Sequence, residues 1–125
     1  MIQKLAWLAL AGALGTLARY GLAGLVQRMS GGSFPWGTLV VNLVGCFLAG
    51  LLWGMFEKRG VVSTVPRTVL LIGFLGAFTT FSTMILETGE MFRASELVYA
   101  TANLTLQNGI GLVAIFAGAL LGRMI

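Results

Sequence analysis

Eight consecutive residues, Ala77-Phe78-Thr79-Thr80-Phe81-Ser82-Thr83-Met84, place four hydroxyls and two phenyl rings inside an apolar run, directly after Gly76. Gly73 and Gly76 followed by Thr79, Thr80, Ser82 and Thr83 make a poor helix. Glycine loses the most backbone entropy, and short hydroxyl side chains compete for backbone groups. An interruption here would release carbonyl oxygens, which bind cations, and N–H groups, which together with hydroxyls bind anions. The Phe81 ring adds an electropositive edge. The same composition also suits a continuous helix whose Ser and Thr side chains bond back to carbonyls four residues earlier. Composition alone leaves both readings open.

Other polar groups sit where apolar ones are expected. Asn42, within GTLVVNLVGC, carries an amide that can donate two hydrogen bonds and accept others. It can tie two helices together or line the path of an ion that must shed water. Thr38 lies one turn earlier on the same helix face. Further along, Asn103, Thr105, Gln107 and Asn108 crowd into six residues. Asn103 and Gln107 share one face by i,i+4 spacing, and Thr105 and Asn108 share another by i,i+3. One face can line a path while the other packs. Arg19 stands in the first apolar run. A guanidinium at bilayer depth costs roughly 2.5 kcal/mol or more, so it must face protein, water or an interface. It either snorkels to the headgroups or supplies a positive field that draws an anion to a vestibule.

The missing residue types narrow the function. The chain has no histidine and one cysteine, Cys46. The four acidic residues, Glu57, Glu87, Glu90 and Glu96, lie at or near the ends of apolar runs. A proton-coupled carrier needs a buried titrating group, and metal or acid–base hydrolysis needs ligands or bases. The pattern therefore points away from an enzyme and towards passive flow. Cys46 reads as a small packing residue.

The elements that must position these groups are membrane helices. Charged residues make up 10% of the 125-residue chain, against about 25% in a soluble domain. Four runs, about 5–27, 36–56, 67–87 and 97–121, meet the length of roughly 20 apolar residues that a bilayer core demands. The expected fold is all-α, one integral membrane domain over residues 1–125 with four transmembrane helices. The start, MIQKLAWLALAGALG, is read as a retained first span, because its apolar run continues past the length of a signal peptide. The net charge of +4 comes from scattered cations, several at helix ends. They read as interfacial anchors, and no nucleic-acid partner is expected. Lys4, Lys58, Arg59, Arg67 and Arg123 fall on one side, Arg28 and Arg93 on the other. That asymmetry favours both termini inside, and the small count leaves room for a chain inserted both ways. Gly12, Gly15, Gly45, Gly50 and Gly54 predict close packing of the first two spans. Four thin helices enclose little volume, so a dimer is the physical expectation.

Three motifs occur in order: GALGTLARY (12–20), GTLVVNLVGCFLAG (37–50) and GFLGAFTTFSTM (73–84). Over essentially its full length, the chain resembles the CrcB/Fluc family of fluoride channels. The resemblance implies an antiparallel, dual-topology homodimer with two narrow fluoride pathways along the subunit contact. It implies a third helix broken near its middle. Carbonyls of Gly76 and Thr79 from both copies would hold a central structural Na⁺. Asn42 would lie on the ion path, and Phe81 would supply one ring of an aromatic box. Thr80 and Ser82 fall in the same block, and Arg19 would sit near the vestibule. Asn103 and Gln107 are the closest matches to the family's path-lining residues in span four. The implied partners are fluoride, a second copy and the lipid bilayer. The implied place is a bacterial plasma or inner membrane, where fluoride would leak out of the cytoplasm.

One position departs from the pattern. Relatives usually carry a second phenylalanine three residues after the first, and here Met84 stands there. A thioether fills similar volume without a ring edge. Met84 is expected to bound the pore and to alter rate more than selectivity. A small dual-topology drug or cation exporter is the main alternative, but it would need a membrane-embedded glutamate in span one, and none is present. A helix-packing protein without transport would explain the glycines, yet not Arg19, Asn42 and the Thr/Phe block together.

Overall fold

The computed structural model describes residues 1–58 and 64–125, and Arg59, counted above among the cations, lies outside them. Helix α1 (Ile2–Ser30) and helix α2 (Trp36–Lys58) are the first two long elements. The third span begins as α3 (Thr64–Thr68), continues as a π-helical stretch (Val69–Leu75) and ends its first half as α4 (Gly76–Phe78). Its second half is α5 (Phe81–Arg93), and the last helix is α6 (Leu97–Met124). Four segments, of 29, 23, 30 and 28 residues, are long and apolar enough to cross a membrane. The third, Thr64–Arg93, runs past Glu87, where its apolar run stops. In α5, Met84, Thr88 and Met91 recur on the buried face, while the exposed side mixes Phe81, Ile85, Leu86 and Phe92 with Ser82, Glu90 and Arg93.

The tight turns are held by their own hydrogen bonds. Gly31, at φ 65°, ends α1 with its N–H on the Gln27 carbonyl at 3.0 Å. The Gln27 side chain then clamps the loop. Its Nε2 donates to the carbonyls of Gly32 and Phe34, and its Oε1 accepts from the Gly37 N–H at 3.1 Å. That last bond satisfies one of the donors a helix N-terminus leaves open. At the other end, Ser95 N–H bonds to Phe92 O at 3.1 Å and Glu96 N–H to Met91 O at 2.9 Å. With Ser95 at φ 61°, this is a Schellman closure, and it turns the chain from α5 into α6.

The closest helix pair is α2 with α6, not α1 with α2 as the glycine pattern suggested. A Cβ on Gly50 would strike the Ile115 carbonyl, and one on Gly54 the Ala119 carbonyl. Reciprocally, a Cβ on Gly118 would meet the Phe47 carbonyl and one on Gly122 the Leu51 carbonyl. Two small-xxx-small stripes thus lie backbone to backbone, the arrangement that lets helices attract without a hydrophobic force in lipid. Gly12 and Gly15 serve another contact, the first half of span three: a Cβ on Gly15 would press on the Phe74 carbonyl and come within 3.2 Å of the Ala77 Cβ. Among the described glycines, Gly37 is the one that packs α2 closely onto α1, against Ala23.

Span three therefore changes partner along its length. Its π-helical and α4 portions pack on α1, whereas α5 packs on α6. The small buried core of Val41, Leu75 and Phe78 sits where these halves meet α2. Much of the remaining apolar surface, including Leu10, Leu14, Leu17 and Phe116, faces outward.

Candidate functional site

The site is built at the junction between α4 and α5. Thr79 (φ −85°, ψ 161°) and Thr80 (φ −152°, ψ 112°) are both extended. In a regular helix the Thr80 N–H would bond to the Gly76 carbonyl, and the Thr83 N–H to the Thr79 carbonyl. Here Asn42 Oδ1 takes the Thr80 N–H at 2.8 Å, and Thr80 Oγ1 takes the Thr83 N–H at 3.2 Å. The helical donors of Gly76 and Thr79 are both diverted, which leaves those two carbonyls without them. Thr80 is the N-cap of α5, and its hydroxyl also donates to Thr83 Oγ1 at 2.9 Å. Thr79 Oγ1 bonds back to the Leu75 carbonyl at 2.9 Å, so one hydroxyl of the block follows the i−4 pattern.

Asn42 reaches this junction from α2 and holds it from both sides. Its Nδ2 donates to the Thr80 carbonyl at 3.0 Å and to Gln107 Oε1 at 2.6 Å. Gln107 Nε2 in turn donates to Asn103 Oδ1 at 2.8 Å. Asn103 Nδ2 donates to Thr88 Oγ1 at 2.9 Å and to the Met84 carbonyl at 3.4 Å. Thr88 Oγ1 closes the chain on the same carbonyl at 2.7 Å. Asn103 is fully buried and Gln107 is 6% exposed, so their polar atoms must find partners inside the protein. They find them in each other along one face of α6, and in Asn42, Thr88 and the Met84 carbonyl.

Two clefts flank the junction, and Thr80 lines both. The first, about 440 Å³, is bordered by Asn42, Thr79, Phe81, Met84 and Gln107, together with Gly76 and Cys46. Among the described residues, no charged one lines it. The second, about 390 Å³, is bordered by Arg19, Thr16, Tyr20, Thr38, Thr80 and Thr83, with no carboxylate among the described residues that line it. A cation at its wall and the N-terminus of the 13-residue helix α5 give this cleft a positive character. Within its surroundings, Thr38 Oγ1 donates to Glu87 Oε1 at 2.6 Å.

The structure thus gathers Asn42, Thr79, Thr80, Phe81, Met84, Gly76 and Gln107 around one cleft, and puts Arg19 at the neighbouring one. Phe81 is 71% exposed in the single chain, while Met84 is only 4% exposed. Asn103 stands behind Gln107 and borders neither cleft. Ser82 is exposed on α5, and it is Thr83 that enters the Arg19 cleft. Thr105 and Asn108 are exposed, and their side chains bond back to the carbonyls of Thr101 and Leu104 at 2.7 Å; Asn108 also borders the first cleft, and Thr105 does not. Thr88 and Gln27 were not singled out from sequence. Thr88 could have been: it lies four residues after Met84 and three before Met91, on the apolar stripe of α5.

Comparison with known proteins decides the family. The family described as CrcB-like protein, Camphor Resistance (CrcB), matches residues 6–119. The chain belongs to the CrcB family. Among relatives of this CrcB chain, the fluoride-specific ion channel FluC of Desulforapulum autotrophicum is 58% identical over 125 residues, 100% of both chains. That of Solidesulfovibrio magneticus is 53% identical and that of Nitrosococcus oceani 52% identical, each over 100% of both chains.

Proposed function

We propose that this CrcB chain is a passive fluoride channel of a bacterial inner membrane, lowering cytoplasmic fluoride. The observation that carries the reading is the uncharged polar lining at the α4–α5 junction, where Asn42 and Thr80 position Gln107 beside the exposed Phe81, next to a cleft holding Arg19. Full-length identity to proteins named fluoride-specific ion channels supports the same reading.

The physical logic runs from hydration to selectivity. Fluoride is small and strongly hydrated, so a narrow route must replace its water with close donors. Amide N–H groups, hydroxyls and a ring edge do so without a full positive charge in the path. Binding stays weak enough for the ion to leave, which conduction requires. Arg19 acts earlier, raising the local anion concentration at the entrance. Chloride is larger and is excluded by fit.

The active unit is an antiparallel homodimer of dual topology. A single chain leaves the Phe81 side of its cleft open, and a second copy would close it. The cation count favours both termini inside by a small margin, which is consistent with insertion in either sense. The interruption at Thr79–Thr80 acts as the functional break of the third helix, tolerated at membrane depth because protein covers it. The Gly76 and Thr79 carbonyls, with their helical donors diverted, suit a hard cation such as Na⁺. When bound, Na⁺ would supply a fixed positive charge at the contact between the copies.

Purified protein in liposomes, with efflux followed by a fluoride electrode, tests the reading. Fluoride should leave at rates far above empty vesicles, and chloride should stay. Equal efflux of both ions rejects selectivity, and no efflux of either rejects the channel.

A further inference from the structure

The amide chain from Asn42 to Thr88 has a direction, and both of its ends are set by groups that cannot turn round. At one end, Thr80 presents a backbone N–H and a backbone carbonyl to the same side chain, at 2.8 and 3.0 Å from Asn42. Flipping that amide would set donor against donor and acceptor against acceptor. At the other end, the Met84 carbonyl accepts from Thr88 Oγ1 at 2.7 Å and from Asn103 Nδ2 at 3.4 Å. With its proton committed there, the Thr88 hydroxyl can only accept from Asn103, which it does at 2.9 Å. Asn103 Oδ1 must then face Gln107 Nε2, and Gln107 Oε1 must face Asn42.

The proton count shows what this direction achieves. Both Nδ2 protons of Asn42 have acceptors, Thr80 O and Gln107 Oε1. Both Nδ2 protons of Asn103 have acceptors, Thr88 Oγ1 and Met84 O. Gln107 Nε2 uses one proton on Asn103. Within this relay its second proton is the one amide proton with no acceptor among the described residues, and Gln107 borders the cleft, as does the neighbouring Asn108, whose Nδ2 has one bond, to Leu104 O.

Resting on the channel reading above, we infer that Thr88 is a positioning residue for the anion path. It anchors the α5 end of the relay, in the direction that the Thr80 backbone sets at the other end, and so holds Gln107 with an N–H towards the cleft. Thr88 itself is 3% exposed and borders neither cleft, so it acts through Asn103 and Gln107. Removing its hydroxyl leaves Asn103 Nδ2 only the longer bond to Met84, and the relay loses its anchor on the α5 side.

The test compares Thr88→Val, which keeps the shape without the hydroxyl, with Thr88→Ser, which keeps the hydroxyl. In liposomes, Thr88→Val should pass fluoride about tenfold more slowly than the parent, the loss of roughly one well-made hydrogen bond. Thr88→Ser should match the parent. The side-chain amide resonance of Gln107, assigned by its disappearance in Gln107→Glu, should shift in Thr88→Val and stay in Thr88→Ser. If Thr88→Val does not fold, Asn103→Leu breaks the same relay while leaving Thr88 bonded to Met84, and the same tenfold loss is expected. Parental flux with an unmoved resonance in either variant overturns the inference, as does a Thr88→Ser variant as slow as Thr88→Val. A parent that passes no fluoride sinks the channel reading instead, and the relay then stands or falls on the resonance.

Discussion

Asn42 grips Thr80 by both backbone groups, with Oδ1 on the N–H at 2.8 Å and Nδ2 on the carbonyl at 3.0 Å. A side chain from α2 thereby takes the place of a helical neighbour at the point where the third span is extended. Asn42→Asp keeps the shape but turns the donor into a second acceptor, facing both the Thr80 carbonyl and Gln107 Oε1. Two hydrogen bonds of about 1 to 1.5 kcal/mol each are lost. Fluoride flux in liposomes should fall on the order of a hundredfold, since about 1.4 kcal/mol is tenfold. Near-parental flux would show that the grip does not serve conduction.

The α2–α6 contact should be intolerant of a single methyl group. A Cβ on Gly50 would strike the Ile115 carbonyl, whereas one on Gly21 meets nothing within 4 Å. Gly50→Ala should destabilise the protein in detergent by about 1–3 kcal/mol. Gly21→Ala, in an open stretch of helix, should be neutral or stabilising by up to about 1 kcal/mol. The readout is the midpoint of denaturant unfolding in micelles. Equal midpoints for the two variants would contradict the backbone contact.

Replacing Na⁺ with a large organic cation probes the Gly76 and Thr79 carbonyls. If a bound cation completes the dimer, fluoride efflux should fall and return when Na⁺ is added back. Efflux that ignores Na⁺ would remove the cation from the mechanism.

Met84 is nearly buried, at 4% exposure, and still borders the cleft. Met84→Phe changes shape more than volume, and such swaps usually cost less than about 1.5 kcal/mol. Flux should change by less than about tenfold, with fluoride still preferred over chloride. A Met84 parent that passes chloride, beside a Met84→Phe variant that does not, would make this residue the source of selectivity.

Four apolar runs and the family were legible because both rest on local features, segment length in one case and contiguous motifs in the other. The weakness of the helix around Thr79 and Thr80 was legible for the same reason: Gly and Thr carry their preferences wherever they stand. The length of α5 was not, because Glu87, Glu90 and Arg93 end the apolar run, and the Met84, Thr88 and Met91 stripe only counts once α6 covers it. The partners of the glycines were equally hidden. Gly50 and Gly54 announce a close approach, but the same stripe would fit any neighbouring helix.

What the sequence determined by itself was an all-helical chain with four spans, a set of uncharged donors within them, and membership of the CrcB family. What tertiary structure decided was the pairing of those donors. Residues 42, 80, 88, 103 and 107 belong to three separate segments, and their amides and hydroxyls could have bonded to lipid-facing water or to their own helices, as Thr105 and Asn108 do. Only the approach of α2, α5 and α6 through their glycine and methionine faces brings the five within hydrogen-bond reach. Once buried there, polar atoms have no partner but each other.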